Sequence, residues 1–196
     1  KVTSYVEEIL VRQRSDGWYG PVPREMGGRS YDLWAILLAN KVLAQYHDAT
    51  GEDRAFRAVE ASLRALAGYL PDNPLFNWGR YRWFEGLIPT FYVYERTGET
   101  WLLELAALLG DQGTDYRALY AQEDVTWPTP RRGLWNWDKH VVNTGMAVKS
   151  GALSWRLDQS PADRAFPGEM LKILDRYHGQ VTGMFTGDEG LAGRNP

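Results

Sequence analysis

The sequence Tyr-His-Asp-Ala-Thr-Gly-Glu, at positions 46–52, carries the strongest structural signal in this chain. A related sequence, Tyr-Glu-Arg-Thr-Gly-Glu, returns at positions 94–99, so that the two tyrosines are 48 residues apart. In both copies, apolar residues at helical spacing precede the glycine and follow the glutamate. Glycine ends helices readily because it adopts left-handed backbone angles without a steric penalty. The pattern predicts two helical hairpins, each closed by a tight turn.

A weaker third copy, Trp-Arg-Leu-Asp-Gln-Ser-Pro, occupies positions 155–161. Ser160 is a suitable N-cap for the next helix, and Pro161 suits its first position. Each repeat is therefore interpreted as a helix, a tight turn and a second helix, followed by a long loop.

Apolar periodicity predicts an all-α chain with helices at residues 1–14, 31–49, 54–70, 83–96, 100–112, 141–157 and 162–177. Gly86 and Pro89 are expected to bend or restart the fourth helix. If all the tight turns lie at one end of a ring of hairpins, the long loops line a pocket at the other end. That is the layout of an (α/α) toroid, and a solenoid of hairpins is the alternative.

Charge and hydropathy exclude several classes of partner. The 196 residues include 22 basic and 25 acidic side chains, and no basic cluster indicates a nucleic-acid surface. No apolar run approaches the roughly 20 residues that cross a bilayer, and Lys1–Arg14 is amphipathic rather than a signal peptide. Neither nucleic acid nor membrane is expected as a partner. The compartment stays open, since the absence of cysteine from the sequence does not fix it.

Aromatic residues are unusually frequent, with nine Trp, eleven Tyr and six Phe. Several tryptophans fall in predicted loops, namely Trp18, Trp78, Trp127, Trp135 and Trp137. Indoles beside polar side chains suit the apolar faces of sugar rings, whereas packing beneath long loops is the alternative. Packing is the commoner fate of such residues, so the aromatic content leaves carbohydrate open as a partner without selecting it.

The last nineteen residues, 178–196, contain glycine at positions 179, 183, 187, 190 and 193. Such a segment forms neither a stable helix nor a packed strand. Its apolar residues Met184, Phe185 and Leu191 favour a loop that passes close to a ligand over a disordered tail. Because no helix or strand follows, the chain is expected to be a piece of a longer protein, incomplete at its C-terminus and also at its N-terminus.

Four side chains are candidates for chemistry. Asp188 and Glu189 lie at the centre of the glycine-rich segment, where a poorly solvated carboxyl group can serve as a general acid. His140 precedes a predicted helix, and its alternative role is helix capping. Glu85 lies in the first turn of its helix, with dipole stabilisation or pairing to a neighbouring arginine as the alternative. Adjacent carboxylates point apart on an extended loop, so a second catalytic group is expected outside this sequence.

Four segments resemble the β-L-arabinofuranosidase family, glycoside hydrolase family 127 and its relatives. The most specific is Tyr-His-Gly-Gln-x-x-Gly-Met-Phe-x-Gly-Asp-Glu-x-Leu-Ala-Gly-Arg-Asn-Pro at 177–196. The others are His-Val-Val-Asn-x-x-Met-Ala-x-Lys at 140–149, Arg-Gln-x-x-Asp-Gly-Trp-x-Gly-Pro at 12–21 and Tyr-Glu-Arg-Thr-Gly at 94–98. The resemblance covers essentially the whole chain in the right order.

The resemblance implies part of a single (α/α)6 barrel that hydrolyses terminal L-arabinofuranosides with retention. Glu189 resembles the acid/base residue, with Asp188 as the second candidate. His140 resembles a histidine that lines the sugar pocket, and Glu85 falls where the family has a substrate-facing acidic residue. The expected substrate-binding residues are His140, Glu85, Trp83, Trp78 and Trp137.

The resemblance also implies a cysteine nucleophile in a zinc site of cysteines and a glutamate. These ligands are expected beyond Pro196, so the segment alone should bind no metal and be inactive. Two departures from the family bear on which sugar is bound: Trp83 stands in place of a pocket histidine, and Val141 in place of a residue that is commonly small.

Two other functions stay open at the level of sequence. The chain could belong to a non-catalytic carbohydrate-binding toroid, in which the carboxylates only line the site. It could also belong to another toroid enzyme that acts on polysaccharide, such as a lyase or an epimerase, with His140 as the base.

Overall fold

The computed structural model describes residues 1–20, 31–121, 137–187 and 190–191, and they are mostly helical. The helices are α1 (Val2–Arg12), α2 (Trp34–Thr50), α3 (Asp53–Tyr69), α4 (Asn77–Tyr81), α5 (Phe84–Thr97), α6 (Trp101–Gln112), α7 (Tyr116–Tyr120), α8 (Val141–Ala147), α9 (Ser150–Asp158) and α10 (Pro161–His178), with a 3₁₀ turn at Trp137–Lys139. Within these residues β-pairing is limited to isolated bridges. The all-α prediction is confirmed.

The chain divides into two compact units, Lys1–Gly113 and Thr114–Pro196. In the first unit, α2 packs against α3 and α5, α5 packs against α6, and α1 lies on α3. The core of this unit contains the fully buried side chains Leu37, Leu43, Leu63, Leu66, Phe84 and Leu109. In the second unit, α9 and α10 form the main pair. Each predicted tight turn thus joins two helices that pack together.

The first two turns have the same geometry. Gly51 and Gly98 adopt left-handed angles, with φ of 72° and 70°. Their backbone N–H groups donate to His47 O and Tyr94 O, each at 2.8 Å. In both turns the threonine before the glycine accepts a hydrogen bond from the backbone two residues further on. The sequence repeat therefore encodes a repeated helix stop.

The third turn follows the same plan without glycine. Gln159 adopts the left-handed conformation with φ of 59°, and its N–H donates to Trp155 O at 2.9 Å. Ser160 is the N-cap of α10, and Pro161 is its first residue, as predicted.

An ion pair places the first two turns on the same side of the first unit. Arg96 Nη2 lies 3.2 Å from Asp48 Oδ1, and these residues belong to the last turns of α5 and α2. The guanidinium of Arg96 also stacks on the ring of Tyr92, 3.5 Å from its centroid. This agrees with the expectation that tight turns gather at one end, for the two hairpins of this unit.

The predicted helix 141–157 is wrong in one respect, because it is two helices that separate at Val148 and Lys149. Val148 and Lys149 keep right-handed helical angles, so the interruption is a turn between the two helices. Beyond it, α9 packs closely on the start of α10, since a Cβ placed on Gly151 would lie 2.6 Å from Asp163 O.

Other boundaries also differ from the predictions. The loops predicted at 71–81 and 113–139 contain the short helices α4 and α7, and Asp115 caps α7 by accepting from Ala118 N–H at 2.9 Å. Glu52 caps α3. Helix α5 continues through Pro89 without restarting, and there the Thr90 hydroxyl donates to Gly86 O at 2.7 Å.

Candidate functional site

The segment that follows α10 folds back on the helix from which it emerges. Gly179 and Phe185 form an antiparallel bridge, and Gln180 N–H donates to Met184 O at 2.7 Å. Thr186 N–H then donates to His178 O, the last residue of α10, at 2.9 Å. Residues 179–187 therefore form a hydrogen-bonded loop with neither helix nor strand, as the glycine content predicts.

This loop lies along one face of α8. The ring of Phe185 approaches Gly145, since a Cβ built there would lie 3.5 Å from Phe185 Cζ. Further along the loop, a Cβ built on Gly187 would lie 2.7 Å from Val141 Cγ2. Residues 141 and 145 are four apart, so they share a face of the helix. The loop thus approaches the N-terminus of α8 as its sequence proceeds.

At that N-terminus the loop meets His140. Gly190 forms an antiparallel bridge with His140, and Leu191 N–H donates to Lys139 O at 3.2 Å. Leu191 and His140 are both buried, with exposed fractions of 2% and 6%. The structure therefore brings together two regions that the sequence analysis singled out separately.

His140 is also the N-cap of α8. Its Nδ1 accepts a long hydrogen bond of 3.4 Å from Asn143 N–H. The capping role considered at the sequence level is thus present.

A buried polar layer supports α8 from within the second unit. Asn143 and Thr144 are wholly buried, and Tyr120 of α7 is nearly so. Burial raises the pKa of Tyr120, while an opposing contribution comes from the hydroxyl of Thr144. The phenol is therefore harder to ionise in the folded protein than in water.

Glu85 lies in the first unit and is completely buried. Its Oε2 is 2.7 Å from Lys41 Nζ, and the Lys41 side chain is 23% exposed. The ion pair with Lys41 links Glu85 to another helix, α2. The substrate-facing role of Glu85 stays a prediction, and its burial and ion pair give it a structural role in this unit.

Lys41 was missed by the sequence analysis, although a signal exists. It lies between Leu37 and Ala44 at helical spacing on the buried face of α2. A charged residue on an apolar face indicates a buried partner of opposite charge.

Trp83 is 7% exposed. Its indole packs edge-on against Phe84, with ring centroids 6.0 Å apart. A Cβ built on Gly113 would lie 2.2 Å from Trp83 Cδ1, so the Gly113 backbone covers one side of the ring. A sugar-stacking role for Trp83 stays a prediction, while its contacts with Phe84 and Gly113 are those of a core residue.

Trp78 is half-buried and belongs to a stack in the first unit. The guanidinium of Arg82 lies 4.5 Å from the ring centroid of Trp78 and 4.7 Å from that of Trp34. Asp32 orients this region, since its carboxylate accepts from the backbone N–H groups of Trp78 and Gly79 at 3.0 and 2.8 Å. Trp34 was not among the residues singled out from the sequence. Its partner in this stack, Arg82, is distant in sequence, so no local pattern marks Trp34.

Trp18 is buried against a helix, α3, to which Tyr69 belongs. It is 8% exposed and meets Tyr69 edge-on, with ring centroids 5.1 Å apart.

Five of the sequence-level candidates fall wholly or partly outside the described residues. Asp188, Glu189, Trp127 and Trp135 are not among them, and Trp137 is described only as the first backbone position of the 3₁₀ turn. The described positions nearest to the two carboxylates in sequence are Gly187 and Gly190.

The described residues contain no group of three or more His, Asp or Glu that could hold a metal ion. In the same residues, no helix has both the length and the apolar character that a membrane span requires. Comparison of the chain with protein-family models, curated proteins and solved structures gives no match.

Proposed function

We propose that the chain is part of a carbohydrate-active enzyme, a glycoside hydrolase built on an (α/α)6 toroid of helical hairpins. Its three hairpins, and the shared side of the turns at Gly51 and Gly98, support this architecture. The particular activity proposed is that of a β-L-arabinofuranosidase, which hydrolyses terminal L-arabinofuranosides with retention. That choice follows from the resemblance of residues 177–196 and 140–149 to the family.

The observation that carries the proposal is the bridge between Gly190 and His140. Glycoside hydrolysis needs a carboxyl group beside the sugar, together with polar groups that fix the orientation of the ring. In the sequence the two carboxylates lie directly before Gly190, and His140 is the residue that Gly190 meets. Pairing between these backbones supports a single site to which both regions contribute.

In the proposed mechanism, Glu189 protonates the glycosidic oxygen as the bond to the leaving group breaks. It then removes a proton from the water that completes the second displacement. His140, which also caps α8, hydrogen-bonds with a hydroxyl of the sugar. The nucleophile, a cysteine in the family, is expected outside this sequence. The glutamate and the other cysteines that surround it are expected there too.

Zinc is part of the proposal only for the full-length protein. The sequence contains no cysteine, so residues 1–196 do not provide the thiolate ligands that the family uses. When bound, the ion would hold a thiolate in its deprotonated form. No step proposed for Glu189 or His140 passes through the metal.

The decisive experiment is a pair of isosteric substitutions in the full-length protein. Glu189→Gln should lower kcat for an alkyl arabinofuranoside by about two to four orders of magnitude, since loss of general acid catalysis has that size. Asp188→Asn makes the same change from carboxylate to amide at the adjacent residue. It should lower kcat much less.

The leaving group provides an internal control. An aryl arabinofuranoside departs with little protonation, so Glu189→Gln should slow its cleavage less than that of the alkyl substrate. A loss below about tenfold on the alkyl substrate would remove Glu189 from the acid role. Saturable sugar binding by a wild-type protein without hydrolysis would favour the non-catalytic toroid.

A further inference from the structure

The contact between Val141 and Gly187 is unusually close. A Cβ built on Gly187 would lie 2.7 Å from Val141 Cγ2 and 2.9 Å from Val141 Cβ. Real side chains essentially never approach so closely, so the valine occupies the space that any side chain at position 187 would need. The same Cβ would lie 2.6 Å from Gly190 O.

This contact lies between two hydrogen-bonded anchors. Before it, Thr186 N–H is bonded to His178 O; after it, Leu191 N–H is bonded to Lys139 O. Gly187 and Leu191 also form an antiparallel bridge with each other. Val141 is therefore the side chain that Gly187 packs against. Beyond this contact, Leu191 is hydrogen-bonded next to the N-terminus of α8.

We propose that Val141 is a positioning residue, whose branched side chain sets the distance at which the loop is held against His140. Its role in catalysis rests on the proposed function, in which this loop carries the acid. The valine touches neither substrate nor reacting atoms in that scheme. It acts by the shape that it presents to Gly187.

Two substitutions at position 141 separate shape from chemistry. Val141→Thr keeps the branched outline at a half-buried site, whereas Val141→Ala removes both methyl groups. Val142→Ala is the matched control, because Val142 is the next residue of the same helix and is 50% exposed. Circular dichroism on each full-length variant establishes that it is folded.

The first readout requires no activity. Hydrogen exchange at the Leu191 amide reports whether the loop still closes on Lys139. We expect exchange at least about tenfold faster in Val141→Ala than in Val142→Ala, and near wild type in Val141→Thr. Gly187→Ala probes the same contact from the other side, with Gly168→Ala as its control, because a Cβ at Gly168 meets nothing within 4 Å.

The second readout is the dependence on the leaving group. A displaced acid should lower kcat by about 10- to 100-fold for an alkyl arabinofuranoside, with a smaller loss for an aryl one and little change in KM. General loosening of the fold would instead slow both substrates equally.

The outcomes separate this inference from the proposed function. Faster exchange in Val141→Ala together with an inactive wild-type protein would support the positioning role and reject the hydrolase. Leu191 exchange in Val141→Ala that matched the exchange in Val142→Ala would overturn the positioning role, whether the wild-type protein is active or inactive. Equal losses on the two substrates would also overturn it.

Discussion

Lys41 Nζ lies 2.7 Å from Glu85 Oε2 and joins α2 to α5 inside the first unit. The carboxylate is fully buried, whereas the ammonium keeps partial contact with water. A buried charge is tolerated only when a partner of opposite charge offsets its lost hydration. The stability of this helix pair therefore depends on keeping both residues.

Removing one partner of this pair should be costly. We expect Lys41→Met to lower the free energy of unfolding by about 3 kcal/mol, because it removes the cation that lies beside a buried carboxylate. Urea titration measures the change. Arg12→Met is the control, since its i,i+4 partner Glu8 is exposed and such pairs contribute little. Equal effects of the two substitutions would contradict a buried role for Glu85.

The helix stop at Gly98 should depend on its backbone angle. Gly98→Ala should destabilise the protein by about 1 kcal/mol, since alanine is strained at φ of 70°. Gly68→Ala provides the contrast, because Gly68 lies within α3 and a Cβ would meet nothing there either. That control should stabilise the protein by up to about 1 kcal/mol. Thermal unfolding distinguishes the two, and the same sign for both would refute the argument.

Tyr19 should make the protein sensitive to alkaline pH. It is buried and donates to Asn40 Oδ1, and burial raises its pKa above the ordinary value of 10.0. In the unfolded chain the phenol ionises near pH 10, whereas the folded protein retains the proton. Stability is therefore lost as pH rises through about 10, by up to about 1.4 kcal/mol per pH unit for one group.

Tyr19→Phe should reduce that slope by about one proton, although its stability at neutral pH is lower because Asn40 loses a donor. Urea titrations between about pH 8 and about pH 11 measure the slope. Tyr5→Phe is the matched control, since Tyr5 is 72% exposed. Identical slopes for the two variants would show that Tyr19 does not control the alkaline response.

Trp83 should respond to a methyl group at Gly113. The Cβ of Gly113→Ala would lie 2.2 Å from Trp83 Cδ1, and the buried indole has little space to move. We expect a loss of about 1 to 3 kcal/mol with a change in tryptophan fluorescence. Gly110→Ala is the control, since its Cβ would meet the same ring at an ordinary 3.5 Å. Full stability of Gly113→Ala would mean that the ring is free to move.

Much of the fold was predictable because its signals are local. The turns at Gly51 and Gly98 and the start of α10 at Pro161 follow from backbone preferences that operate within a few residues. The break between α8 and α9 was not predictable in this way. Nothing in the apolar periodicity of residues 141–157 marks an interruption at Val148 and Lys149.

The candidate site was predictable in part for the same reason. Glycine content marked the loop after α10, and sequence position marked His140 as the start of a helix. Their meeting through Gly190, and the valine that spaces them, depend on how α8, α10 and the loop pack in three dimensions.

The sequence by itself determined the helix stops at Gly51 and Gly98 and the start of the glycine-rich loop, since these depend on neighbouring residues along the chain. Only the tertiary structure decided that Glu85 pairs with Lys41 and that Gly190 meets His140. Such pairings are chosen by close packing between elements, where a single methyl group or a buried charge outweighs any local preference.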